Sequence, residues 1–261
     1  MGNVIVFGNQ KGGVGKSTLS VLYAFWLADM HRQSICFVDL DTQGNSSKTL
    51  HCFNSGWKSV DLFSEPGTVS VAASTSEGQR RIALVAATKQ LPDIELRRPE
   101  SVIPAFRASI ACLLSSFDVV VIDTPPSLGL RMSGALMAAS HVVCPIELEE
   151  YSIDGVTDML KTVFGIRQRY NPKLELAGIM LNRYNPHSPR QKRAIEQLVM
   201  NYTEFIIPAR ISTRSAIPEA LAECKAVWEL TKTSAREASA EVKAAFMALQ
   251  GRIEARQGGE P

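Results

Sequence analysis

Short unbroken apolar runs alternate with helical patterns through most of this chain. The runs cover 4–7, 35–38, 82–86, 119–122, 142–146, 177–181 and 205–207. A strand with one wet face alternates apolar and polar residues, whereas an unbroken run fits a strand covered on both faces. The pattern therefore predicts an α/β fold of three layers, a mostly parallel twisted sheet with helices on both sides. Helices are expected over 16–30, 100–116, 130–139, 152–170, 189–201, 218–223 and 235–253. Residues 45–79 are rich in Ser, Gly and Thr and are the hardest part to assign. No linker or internal repeat divides the chain, so one domain over 1–261 is expected, with 257–261 as a frayed tail.

An apolar content of 45% is enough for a sizeable core. The net charge is +2, so any contact with nucleic acid must come from a local basic patch. The five cysteines (Cys36, Cys52, Cys112, Cys144, Cys224) are scattered without a C-x-x-C pair. Neither a zinc site nor a disulfide framework is expected, and a reducing cytoplasm is the implied setting. There is no apolar stretch long enough to span a bilayer, and the chain enters a strand at once, leaving no room for a signal peptide.

The first run leads into Gln10-Lys11-Gly12-Gly13-Val14-Gly15-Lys16-Ser17-Thr18, and a helix follows. Strand, glycine-rich loop and helix N-terminus together make a phosphate cradle. Backbone N–H groups wrap the phosphates, and the helix dipole favours negative charge. Lys16 is placed to reach the β- and γ-phosphates and Ser17 to hold Mg²⁺, with Gly12, Gly13, Val14, Gly15 and Thr18 completing the cradle. Gln10 stands where a glycine is usual. Lys11 is a second cation inside the loop, and a second phosphate to neutralise is its simplest reason.

Two further strand ends carry carboxylates. Asp39 and Asp41 follow the run 35–38, and Asp123 follows 119–122. Carboxylates there face the ligand crevice of an open α/β sheet, where they can hold a metal shell or orient water. Asp123 has the Walker B placement for Mg²⁺. Pro125 and Pro126 stiffen the loop behind it. Asn182 is a polar residue ending the run 177–181, which by itself reads as a plain strand-ending turn. Glu147, Glu149 and Glu150 precede a helix whose N-terminus they can cap.

The loop over 9–18 resembles the deviant Walker A of the ParA/MinD superfamily of dimerising ATPases, and Asn9-Gln10 is similar to its ParA branch. Asp39 to Asn45 resembles that family's switch I, and Asp123 to Ser127 its switch II. The stretch from Pro145 to Gly155 and the Arg214-to-Ile217 segment resemble IncC-type plasmid partition ATPases. The likeness extends from about Val4 to Leu249. It implies ATP and Mg²⁺ as cofactors and a homodimer that sandwiches two ATP molecules, with Lys11 crossing to the other subunit's nucleotide. Asp41 is then the water-positioning residue, while Ser17, Asp39 and Asp123 serve the metal. Asn182 meets the adenine edge, Pro208 lies beside the base, and Glu149 touches the partner's nucleotide. Arg214 and Arg210, extended by Arg190, Lys192 and Arg193, form a patch for non-specific double-stranded DNA, although arginines of this kind also read as solvated surface. A ParB-type partner stimulates hydrolysis, and the protein sits on the nucleoid in the cytoplasm. Thr42 departs from the family's proline, Cys224 from a glycine and Ala226 from a proline.

Three other readings fit the residues less well. A membrane-associated ATPase like MinD needs a basic amphipathic C-terminal helix. Here Ala244, Phe246, Met247, Leu249 and Ile253 make an apolar stripe, but the polar face mixes acids and bases. It reads better as a packed terminal helix, so no membrane contact is expected. An iron-protein electron carrier needs cluster cysteines near switch II, and none lies between Asp123 and Val143. A sequence-specific repressor needs an added N-terminal domain, which the early glycine loop leaves no room for.

Overall fold

Period-two alternation decides which face of the sheet each strand residue joins. The computed structural model describes residues 2–64, 69–72, 80–148 and 152–257. Among these, eight strands form one sheet: β1 (Asn3–Phe7), β2 (Ile35–Asp39), β3 (Asn54–Lys58), β4 (Ile82–Ala86), β5 (Val119–Asp123), β6 (His141–Glu147), β7 (Glu175–Tyr184) and β8 (Ile206–Ser212). All pairings are parallel, in the order β3-β4-β2-β5-β1-β6-β7-β8. Val4, Val6, Val120 and Ile122 point into one core, and Ile5, Phe7, Val119 and Val121 into the other.

The first core is closed by α3 (Pro99–Leu114), α4 (Leu130–Ala138), α5 (Ser152–Arg169) and α6 (Pro189–Tyr202), which supply Phe106, Met132, Leu136, Val163 and Leu198. The second is closed by α1 (Lys16–Met30), α7 (Ala216–Ala222) and α8 (Thr233–Gln257), through Leu22, Trp26, Ala220, Phe246 and Leu249. Residues Leu19 to Ala28 of α1 are all buried, so this helix shows almost no polar face. In α8, Ala238, Val242, Ala245, Phe246, Leu249 and Ile253 recur at helical spacing and are fully buried. Of the apolar stripe on this helix, Phe246, Leu249 and Ile253 are core and each contributes about 1.5–3 kcal/mol of burial, while Ala244 and Met247 are exposed. Among the described residues, no helix is long and apolar enough to cross a membrane.

The predicted strands and helices are present, with shifted ends. One strand and one α-helix were not foreseen, both in the stretch that gave no period. β3 is an edge strand whose residues are at most half-buried, so no apolar run marks it. The short helix α2 (Asn45–Thr49) is polar and buries only Ser46. β8 is longer than the expected 205–207 because, at the opposite edge, its exposed Pro208 and Arg210 resemble a loop. The cysteine expectation also needs correction: Cys52 and Cys224, 172 residues apart, form a disulfide, while Cys36, Cys112 and Cys144 are free. Spacing in the sequence cannot register a contact that only the fold creates.

β1 lies between β5 and β6, where successive connections leave to opposite sides of the sheet. Register aligns Phe7 with Asp123 and Asp39 with Asp123, so β1, β2 and β5 end level. Ligand crevices in open α/β sheets form at such a point, outside the carboxyl ends.

Candidate functional site

The glycine loop leaves β1 at Phe7 and is held from outside by its carbonyls. Asn9 is buried; its Nδ2 donates to Pro145 O at 2.7 Å, and its Oδ1 accepts from the Lys11 N–H at 2.8 Å. Gln10 Nε2 donates to Thr162 Oγ1 on α5 at 2.9 Å. Asn182 Nδ2 donates to Val14 O at 2.9 Å and Arg183 Nη1 to Gly13 O at 3.1 Å. With its carbonyls turned outward, the loop is free to aim N–H groups inward at an anion. Gly13 and Gly15 have φ of +79° and +92°, and a Cβ on Gly15 would lie 2.1 Å from Asn182 Nδ2. Arg183 itself has φ +52°, a conformation uncommon for non-glycine residues that clusters at functional positions.

Helix α1 starts at Lys16 with no side-chain cap and no acid in its first turn, so its first N–H groups face the crevice. The Lys16 side chain is buried and its Nζ donates to Lys11 O at 3.0 Å. Burial pulls its pKa below the ordinary 10.5, against the opposing pull of Asp123 and Asp41.

Asp39 and Asp123 are fully buried neighbours at the ends of β2 and β5. Asp39 Oδ2 accepts from the Ser47 N–H at 2.8 Å and from Ser47 Oγ at 2.6 Å, and Oδ1 accepts from the Asp41 N–H at 3.0 Å. Asp123 accepts from Ser46 Oγ at 2.7 Å and from Ser17. Burial pushes Asp39 up to about 6 and, with the added charge of Asp39, Asp123 up to about 7. Asp123 Oδ1 is buried with no hydrogen-bond partner among the described residues. A buried carboxylate oxygen left unmet is costly unless a cation completes it, and oxygen donors from Ser and Asp suit Mg²⁺. The donor set therefore fits the expected metal.

Sequence reasoning missed several supports. Ser46 and Ser47, the hydroxyls that hold both aspartates, sit on the unforeseen α2, and only their position just past Gln43-Gly44-Asn45 hints at them. Thr124 Oγ1 ties the loop after β5 to Phe7 O at 2.9 Å. Arg131 is buried and links α4 to switch I, with Nε 2.8 Å from Glu95 Oε1 and Nη1 3.0 Å from Leu40 O.

The other predicted residues divide. Asp41 is half-buried at the rim, its Oδ1 accepting from the Gln43 N–H at 3.0 Å. Lys11 is half-buried in the loop. A cavity of 450 Å³ beside the loop is lined by Thr18, Asn182 and Arg183, and closed by Ser212 to Ser215. Pro208 lines a different cleft, between α6 and β8, together with Arg210. Arg210 is exposed and its guanidinium lies 5.2 Å from the Tyr184 ring centroid. Arg214 lies between Glu237 and Glu241, at 2.5 and 2.7 Å. Glu149 lies outside the described residues.

A parallel sheet that brings a glycine loop, an uncapped helix start and two buried carboxylates to one edge is the phosphate site of a P-loop protein. The AAA domain family matches residues 2–176 of the chain. Protein IncC of Escherichia coli is 38% identical over 245 residues, 92% of this chain and 67% of that protein. The chromosome partitioning protein ParA of Myxococcus xanthus is 30% identical over 209 residues, 76% of this chain and 71% of that protein. The structure of a substituted Cyanothece McdA in complex with ATP superposes with a TM-score of 0.80 at 17% identity, over 97% of this chain and 96% of that one, which shows the fold. The chain belongs to the ParA branch of the ParA/MinD superfamily of P-loop partition proteins. It spans about two thirds of the length of IncC.

The buried aspartates give a pH signature. Both hold protons more tightly folded than unfolded, so between 3.8 and the raised values of about 6 and 7 the folded chain carries the extra protons. Their contribution to stability therefore falls as pH rises through that window. Urea unfolding in EDTA at pH 5 and pH 8 is expected to show Asp123→Asn gaining on the wild type at pH 8, by about 1.4 kcal/mol or more per pKa unit relieved. Comparing the two proteins cancels buried His141, held down at about 4 by burial and acting in the opposite sense. An unchanged difference at the two pH values contradicts the assignment.

Proposed function

We propose that this chain is a partition ATPase. It binds ATP and Mg²⁺ in the site above and closes into a homodimer around two nucleotides. The dimer holds non-specific double-stranded DNA and releases it after hydrolysis, which a ParB-type partner accelerates. The observation that carries this reading is the meeting of Lys16, Asp39 and Asp123 beside an uncapped helix start, with one carboxylate oxygen unmet. The printed name of the Myxococcus xanthus relative supports chromosome partitioning as the setting, and the proposed DNA contact would put the protein on the nucleoid.

In this reading Gly12 to Thr18 bind the β- and γ-phosphates through the N–H groups that Asn182 and Arg183 help to orient. Ser17 and Asp123, supported by Asp39, would hold Mg²⁺, which when bound neutralises phosphate charge. Asp41 orients a water for attack on the γ-phosphorus; the bond to the bridging oxygen breaks, leaving ADP and phosphate. Lys11 lends its ammonium to the partner subunit's nucleotide, and Glu149 touches that same ligand. The nucleoside occupies the 450 Å³ cavity with Asn182 at its wall, and Pro208 closes in from the neighbouring cleft. Contacts to the γ-phosphate favour the dimer, and their loss removes the preference.

For DNA, Arg210 and the exposed Lys192 and Arg193 at the start of α6 lead the patch. Arg214 follows, because two glutamates already offset its charge. A MinD-like membrane role is disfavoured because the apolar stripe of α8 is mostly buried in the core.

Light scattering with Mg²⁺ and a non-hydrolysable ATP analogue is expected to give twice the chain mass for the wild type and single copies for Lys11→Ala. Single copies of the wild type would end the sandwich reading. In gel shifts on unrelated duplexes, binding should require the triphosphate state. Removing Arg210, Lys192 and Arg193 together should reduce the salt slope by about 0.9 per lost phosphate contact. Equal binding with ATP, ADP and no nucleotide would remove the switch.

A further inference from the structure

Away from the nucleotide crevice, α3 and α5 stand on either side of a much shorter helix. α4 has 9 residues against 16 and 18. Its inner side is spent on the core through Met132, Ala135 and Leu136, and its outer side is left at the bottom of a channel of about 640 Å³. The floor is Leu130 and Met137 of α4. The walls are Ile103 and Pro104 of α3 and Ile166 of α5. Leu128 and Tyr170, 52% and 56% exposed, extend the apolar lining. One exposed apolar side chain means little, but a contiguous apolar channel marks a binding surface.

Two independent features say what the channel accepts. The first is Gly165, inside α5 and on the wall. A helix-interior glycine costs about 1 kcal/mol relative to alanine. Here a Cβ would meet nothing within 4 Å, so the chain's own packing gives no reason for it. The missing side chain leaves the α5 backbone open to close approach from outside. The second is charge. Arg107 and Arg169 line the channel, are exposed, and make no ion pair or hydrogen bond among the described residues. Lys161, also lining it, is paired with Asp158 at 3.4 Å, and Glu100 is the one carboxylate in the lining.

The geometry points to a docking groove for an amphipathic helical segment of a partner protein, apolar along the face that enters and carrying carboxylates on its flanks. Helix-in-groove recognition uses apolar anchors at i, i+3/i+4 and i+7, which an elongated apolar floor receives. The carboxylates complement Arg107 and Arg169. A nucleic acid backbone would satisfy the two arginines but not the apolar floor.

The groove reaches both nucleotide loops. Leu128 lies on the segment between Asp123 and α4, and Thr162, in the lining, accepts from Gln10 of the glycine loop at 2.9 Å. An occupant thus presses on elements tied to both. That consequence for hydrolysis rests on the ATPase reading, whereas the docking itself does not.

Two fluorescein-labelled helical peptides with the same leucine stripe, one flanked by Glu and the other by Lys, test the proposal by anisotropy against the full chain. The Glu peptide should bind saturably and the Lys peptide at least about tenfold more weakly, a gap of ~1.4 kcal/mol. Gly165→Leu, which fills the wall, should weaken the Glu peptide by a similar factor. Arg107→Glu with Arg169→Glu should reverse the peptide preference. Both variants lie outside the nucleotide site and should keep unstimulated ATP turnover, and Gly165→Leu should melt no lower than the wild type because it removes a helix-interior glycine. Equal binding of the two peptides, or Glu-peptide binding untouched by both variants, overturns the proposal. A change in the chain's mass in solution on Gly165→Leu also overturns it, because a second copy then covers the face. If the peptide binds as expected but no ATP turnover is found with or without it, the groove stands and the ATPase reading fails.

Discussion

Two carboxylates that share one dry corner set the terms for the rest of this structure. Asp39 and Asp123 are register partners on adjacent strands, with no solvent around either. Burial denies both of them water and raises both pKa values; the charge of Asp39 adds to the rise at Asp123, and that of Asp41 adds to the rise at each. The surroundings answer in kind. α2 brings Ser46 and Ser47, α1 brings Ser17 and the buried Lys16, and the chain turns at Asp41 so that its N–H meets Asp39. One oxygen of Asp123 is still unmet among the described residues. A protein selected for stability alone has little reason to keep such a corner; one that must hold a divalent cation against phosphates does.

The glycine loop shows the complementary device. A loop can aim its N–H groups at an anion only if something occupies its carbonyls, and here Asn182, Arg183 and Lys16 do so from three directions. Gly15 is dictated by the closeness of Asn182, and the left-handed backbone at Arg183 brings its guanidinium to Gly13. Asn9 and Gln10 then tie the loop to β6 and α5. Changes in the loop can therefore reach α5 and the groove that α5 lines, by contacts and not by distance.

The parts legible in the sequence are those whose physics is local. Strands covered on both faces announce themselves as unbroken apolar runs, so seven of the eight described strands could be read directly. The loop from Gln10 to Thr18 lies between a strand and a helix, and Asp39 and Asp123 follow apolar runs. β3 and α2 stayed hidden because they bury little: one is an edge strand, and the other exists to present two serines. The Cys52–Cys224 bond and the pairing of Arg214 with Glu237 and Glu241 were invisible for another reason. Their partners are 172, 23 and 27 residues away, and no periodicity encodes them. Arg214, expected in a basic patch, is paired with two glutamates, and Pro208 lines a different cavity from Asn182.

The central claim is that the aspartate corner is built for a divalent cation that works together with a bound triphosphate. Calorimetric titration of the full chain with a non-hydrolysable ATP analogue, in Mg²⁺ and in EDTA, tests it most directly. The account predicts that Mg²⁺ tightens binding by about tenfold or more, ~1.4 kcal/mol, and that Asp123→Asn abolishes the gain without abolishing binding. Equal affinity in Mg²⁺ and EDTA for the wild-type chain would contradict it.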